Sequence, residues 1–231
     1  GLDRMASELR LIGSFWVGAS GAGNAITAAT PTSITFMANV EDSSVIGGAG
    51  GNEATTTSEV TSTSTSVPLS ILATPTADAF RIYVANPALN DYIYIANGGT
   101  REVKRITDIN GSTLTLASAL SSTYPVGSLV RDVKIITYTR NAVATSTCPA
   151  LTCLTRSQGG SGADPIVDNV SGLTFTYFRS NGVTPTTDPA LIREIKIDLT
   201  VCIKRTPASS CQDPTSSSRQ MTTRVKPRSL P

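Results

Sequence analysis

Apolar residues recur at helical spacing once in this chain, at its start, and in the segments that follow they recur with a period of two. Leu2, Met5, Leu9, Ile12 and Trp16 stand three and four residues apart, which aligns their side chains along one face of an α-helix. Arg4, Glu8 and Arg10 lie off that line. One amphipathic helix over residues 2–17 is expected, ended by Gly18, Gly21 and Gly23. At 1.5 Å per residue it spans about 24 Å, and so short a helix is marginal in water unless it docks. The apolar stripe is therefore expected to pack inside the molecule, and the charged trio to form an assembly face open to a neighbour.

Period-two alternation marks the rest. Ile34, Phe36, Ala38 and Val40 alternate with Thr35, Met37 and Asn39; Leu173, Phe175 and Tyr177 alternate with Thr174 and Thr176; and Ile195, Ile197, Leu199, Val201 and Ile203 alternate with Lys196, Asp198, Thr200 and Cys202. These patterns suit half-buried antiparallel strands. Short strand signals crowd residues 80–84, 92–95, 103–106, 114–116 and 129–133, with a further strand at 135–139 and a last one at 221–225. Asn110-Gly111 supplies the positive φ angles of a type I′ hairpin turn. Residues 45–66 are almost all Gly, Thr and Ser and read as a long mobile surface loop. Aromatic residues make up 5% of the 231 residues, which suits short strands and loops better than helical packing. The expected fold class is α+β: an N-terminal amphipathic helix on an antiparallel sheet, with an inserted small β-barrel or meander. The segments are 1–44 (helix and first strand), 45–78 (loop), 79–133 (inserted module) and 134–231 (the remaining sheet).

Side-chain chemistry excludes more than it nominates. The chain has no histidine, which removes Ser-His-Asp and Cys-His arrangements and the commonest general base near neutral pH. A net charge of +2 is too mild to announce a nucleic-acid or membrane-surface partner. Gly18, Gly21 and Gly23 are neither preceded by a strand nor followed by Gly-Lys-Ser/Thr, so a helix-ending turn is preferred to a phosphate loop. Glu41 with Asp42, Asp108 with Asn110, and Asp164 with Asp168 and Asn169 read as turn or capping groups rather than calcium ligands. Arg219, Arg224, Lys226 and Arg228 read as edge-strand charges rather than a DNA contact. Neither cofactor nor metal is expected, nor an enzyme. Cys148, Cys153, Cys202 and Cys211 fit neither a CxxC redox site nor a zinc ribbon, so structural disulfides in an oxidising compartment are expected. The local pairing, Cys148 to Cys153 and Cys202 to Cys211, avoids long-range constraints. No stretch reaches the roughly 18 apolar residues of a membrane-spanning helix.

The opening Leu2-Asp-Arg-Met-Ala-Ser-Glu-Leu-Arg10 resembles the second half of the long N-terminal helix of type IV minor pilins of the PilW-like and GspJ-like kind. Ile136-Thr-Tyr-Thr139, Leu154-Thr-Arg156, Ile166 to Tyr177 and Thr223 to Leu230 resemble successive strand segments of that family, in its order. The resemblance implies a structural subunit that initiates assembly of, or is displayed on, a type IV pilus. It also implies an apolar half-helix before Leu2 that anchors the subunit in the inner membrane before assembly. Other pilins are the implied partners, and the periplasm or cell surface the implied location. A type II secretion pseudopilin is a further possibility. The alternative from a different class is an extracellular β-rich adhesin or carbohydrate-binding module, with Tyr83, Tyr92, Tyr94 and Tyr124 as its binding surface.

Overall fold

A computed structural model describes residues 1–14, 25–39, 53–70, 92–110, 112–141, 152–159, 162–203 and 217–227. The chain opens with α1 (Leu2–Arg10) and continues through β1 (Ile26–Ala29), β2 (Ser33–Ala38), β3 (Glu53–Thr55), β4 (Ser66–Pro68), β5 (Tyr92–Asn97), β6 (Thr100–Asn110) and β7 (Thr113–Leu116). It then runs through β8 (Leu129–Asn141), β9 (Cys153–Gln158), β10 (Asp164–Asp168), β11 (Val170–Phe178), β12 (Glu194–Ile203) and β13 (Ser217–Val225). All strand pairings are antiparallel. A 10-stranded sheet has the path β1-β2-β8-β5-β6-β7-β4, with β3 and β9 also on β8 and β10 on β9. A second sheet has the order β11-β12-β13.

This architecture overturns the α+β expectation. The molecule is predominantly β, with one nine-residue helix among the described residues. The helix stops early because its C-terminus is captured by the sheet. Ile12 bridges Ala38, and Gly13, at φ 74°, donates its amide to Met37 O at 3.1 Å. A left-handed φ is open to glycine at no steric cost and ends a helix. Trp16 lies outside the described residues. No described helix is long and apolar enough to cross a membrane.

The described strands of the expected inserted module do not form a sheet of their own but continue the large sheet. The signals at 129–133 and 135–139 are one 13-residue strand, β8, whose first half pairs with β3 and β5 and whose second half pairs with β2 and β9. That strand joins two cores. The main core gathers Met5 and Leu9 of α1, Ile12 just beyond it, Phe36 of β2, Tyr138 of β8 and the inward faces of β11 and β12; Tyr94 and Ala96 of β5 belong to it too. The second core contains Ile93, Ile95, Leu114, Leu116 and Tyr124, together with Ala54, Val60, Val67 and Leu69. Residues 53–69 thus carry two strands and core side chains where a mobile loop was expected. The chain there is held by its polar groups: Thr56 donates its hydroxyl to Pro125 O at 2.9 Å, and Val60 and Tyr124 exchange backbone hydrogen bonds at 2.8 Å. The expected strand at 80–84 lies outside the described residues.

The β6–β7 hairpin forms one residue out of place. Asn110 is the last residue of β6 and pairs with Thr113 of β7, so it belongs to the strand rather than to the turn; Gly111 lies outside the described residues. The expected alternation holds in β2, where Ile34, Phe36 and Ala38 are buried, and in the first part of β12, where Ile195, Ile197 and Leu199 are buried; at the end of β12 it inverts, with Cys202 buried and Ile203 exposed.

Candidate functional site

The described part of the N-terminal stripe behaves as its spacing predicts: Met5, Leu9 and Ile12 are fully buried and Leu2 is half-buried against the main core. The charged trio does not stay together. Arg4 and Arg10 are exposed, whereas Glu8 turns inward, with its side chain 12% exposed. Three donors converge on its carboxylate. Tyr138 donates its hydroxyl to Oε2 at 2.7 Å, Arg156 donates Nε–H to Oε2 at 2.8 Å and to Oε1 at 3.2 Å, and Arg4 donates Nε–H to Oε1 at 3.1 Å. Arg156, 9% exposed, also donates to Gln158 Oε1 at 2.9 Å. Burial raises the Tyr138 hydroxyl above its ordinary value, and the hydrogen bond to Glu8 adds to the shift. The helix is thus fastened to β8 and β9 by an ion pair and a phenol as well as by apolar packing. This corrects the reading of Glu8 as part of an assembly face. The overlooked signal was spacing: Glu8 stands three residues after Met5 and four before Ile12, so it borders the buried stripe.

A second carboxylate organises the other core. Glu102 of β6 accepts the backbone amides of Ser121 and Ser122 at 2.8–2.9 Å and the Tyr124 hydroxyl at 3.2 Å, with Lys104 Nζ at 3.1 Å. Burial pushes its pKa up, but those amide hydrogen bonds and Lys104 outweigh it and hold the carboxyl below the ordinary value. Tyr94 and Tyr124 are buried and Tyr92 is half-buried. They do not present the aromatic surface on which the carbohydrate-binding alternative rested; Tyr83 lies outside the described residues.

A third cluster surrounds Glu194, whose side chain is 6% exposed: Arg224 donates to it at 2.6 Å, and Lys226 Nζ stands 3.5 Å away. The Arg224 guanidinium also lies 4.9 Å above the Phe178 ring. Two of the four C-terminal cations are therefore engaged internally. Arg219 is exposed on β13, and Arg228 lies outside the described residues.

An open groove of about 530 Å³ lies between Thr30 and Pro31, the β11 residues Phe175 and Tyr177, and the segment 185–191. The Tyr177 hydroxyl is spent on Thr30 O at 2.7 Å and Ser33 O at 3.1 Å, and Asp188 accepts the Ala190 amide at 3.0 Å. Arg179 is the other charged residue lining it.

The remaining sequence candidates fall in structural roles. Asp164 and Asp168 begin and end β10, and Asn169, at φ 57°, turns the chain into β11. Asp108 and Asn110 belong to β6, and Glu41 and Asp42 lie outside the described residues. Among the described residues no group of three His, Cys, Asp or Glu side chains is placed to hold a metal ion. Cys153 and Cys202 are both disulfide-bonded. Cys148 and Cys211, and with them the expected pairing, lie outside the described residues. No protein-family model matches this chain, and no curated protein is significantly similar to it.

Proposed function

We propose that the chain is a structural subunit of a pilin-like filament, acting through assembly and display rather than catalysis, outside the cytoplasm and among other pilins. The carrying observation is the division of labour on α1. Met5 and Leu9 of the helix, and Ile12 just beyond it, are wholly buried and Glu8 is tied inward, which leaves Arg4 and Arg10 exposed on a helix docked on the main core. Such a helix presents a fixed charged side to a neighbour at little entropic cost on binding.

The segments that resemble minor pilins support the same reading. Residues 2–10, 136–139, 154–156 and 166–177 all contribute to the main core, around this helix. The α+β architecture expected with that resemblance does not stand, so the proposal rests on the segments and the helix. The disulfide-bonded Cys153 and Cys202 suit an oxidising compartment. The test is copurification of the full-length protein with pilins from its own cell envelope. Wild type is expected to bring pilin subunits down, and a variant with Arg4→Ala and Arg10→Glu is expected to lose them while melting close to wild type. Wild-type protein free of pilins would defeat the proposal.

A further inference from the structure

An asparagine followed by glycine is a chemically weak link, because the glycine amide nitrogen, with no side chain beside it to hinder approach, can reach the carboxamide carbon of the asparagine. The chain holds three such pairs, Asn97-Gly98, Asn110-Gly111 and Asn181-Gly182. Gly111 lies outside the described residues. The fold treats the other two pairs differently.

Asn181 is clamped. Its Oδ1 accepts the amides of Val183 at 3.1 Å and Thr184 at 2.9 Å, and its Nδ2 donates to Thr184 Oγ1 at 2.7 Å. The nitrogen that would attack it is engaged as well, since the Gly182 amide donates to Arg179 O at 2.9 Å. Asn97 is held far less. It ends β5 opposite Thr100, and Gly98 and Gly99 form the loop from β5 to β6. Asn97, Gly98 and Gly99 are all exposed. A single hydrogen bond restrains the Asn97 side chain, from Nδ2 to Ser128 Oγ at 3.3 Å, and it leaves Oδ1 and Cγ open. Among the described residues nothing accepts the Gly98 amide, and a β-carbon placed on Gly98 would meet nothing within 4 Å.

We propose that Asn97-Gly98 is a site of spontaneous covalent modification in the folded protein, at which Asn97 converts to aspartate and isoaspartate while Asn181 is protected. The Gly98 nitrogen gives its proton to solvent base and bonds to Asn97 Cγ; the Cγ–Nδ2 bond breaks and Nδ2 leaves as ammonia. Water then opens the cyclic imide. Addition at Cγ yields aspartate, and addition at the main-chain carbonyl carbon of residue 97 yields isoaspartate. In either case an amide and a water become a carboxylic acid and ammonia, with no change of oxidation state. Both products lose the donor to Ser128 Oγ, and Ser128 already gives its own hydroxyl proton to Pro125 O at 2.6 Å, so the new carboxylate finds no donor there. Isoaspartate also lengthens the main chain by a methylene. It therefore breaks the register of Asn97 with Thr100, on a strand that brings Ile93 and Ile95 to the second core.

This proposal is independent of the filament reading. Its test is incubation of the full chain at mildly alkaline pH, native and in urea, with both asparagines followed by peptide mapping and by enzymatic methylation of isoaspartate. In the native protein position 97 is expected to convert at least about tenfold faster than position 181, because the hydrogen bonds that clamp Asn181 must open first. In urea the two rates should converge. Thr184→Ala, at an exposed position, removes one bond of the clamp and should speed conversion at position 181 alone. Native rates that are equal at the two positions, or faster at position 181, overturn the proposal. So does a native protein in which position 97 stays intact.

Discussion

Replacing Glu8 is the sharpest perturbation of the helix anchor. The carboxylate is 12% exposed and Arg156 9% exposed, with 2.8 Å between them and a Tyr138 hydroxyl at 2.7 Å. Glu8→Ala leaves a nearly buried guanidinium without its anion and a buried phenol without its acceptor. Breaking such a pair from one side costs about 3–5 kcal/mol, which for a chain of this size lowers Tm by roughly 6–20 °C. Arg4, 57% exposed, contributes little from the other side of the same carboxylate, so Arg4→Ala should cost under about 0.5 kcal/mol. Arg156→Met alone should be costly too, yet Glu8→Met combined with Arg156→Met should cost less than the sum of the single changes, because the double variant strands no charge. Urea unfolding of these variants, with Glu8→Met alone added to close the cycle, measures the coupling. A Glu8→Ala loss no larger than that of Arg4→Ala, or strict additivity in the double variant, would refute the account of the anchor.

Three further outcomes follow from the packing. Leu9→Ala, at a fully buried position of the main core, should destabilise by about 2–5 kcal/mol in the same unfolding assay. Glu102 has a depressed folded pKa, so the stability it supplies is present above the usual value of 4.5 and lost as the pH falls through the folded value. The gap between wild type and Glu102→Gln should therefore be about 2 kcal/mol near neutral pH and shrink in acid; a gap constant across the acid range would argue against it. Replacing residues 79–128 by a Gly/Ser linker removes β5, and with it Tyr94 and Ala96, from the main core. Cooperative unfolding should then shift down by at least about 3 kcal/mol, and an unchanged melt would mean that the two cores are separable.

The period-two segments were legible because each has one wet face: β2, β11 and β12 as far as Leu199 lie where their alternation places them, and only the end of β12, with Cys202 buried and Ile203 exposed, departs from it. The long β8 was split in the sequence because Lys134 reads as a solvent residue, whereas in the fold it is 2% exposed. Residues 53–69 were taken for loop because their few apolar residues looked too sparse to order the chain; the count neglected what Thr56 and the backbone of Val60 contribute by hydrogen bonding across to 124–128. The end of the helix was misplaced because Ile12 continues the helical stripe in sequence yet bridges Ala38 in space. Glu8 was misassigned for a related reason. Its spacing places it beside the buried stripe, but the partners that draw it inward, Tyr138 and Arg156, lie more than a hundred residues away. The order of strands in the large sheet, with β5 between β8 and β6, is likewise a long-range property that no local pattern encodes.

The most direct test of the assembly proposal is photo-crosslinking in cells, with a crosslinking amino acid at Arg10, exposed on a helix whose other side is fixed in the main core. The same residue placed at the fully buried Leu9 serves as the internal control. The account predicts an adduct from position 10 whose second component is a pilin, and none from position 9. Full-length protein that fractionates apart from filaments and gives no pilin adduct from position 10 would contradict it.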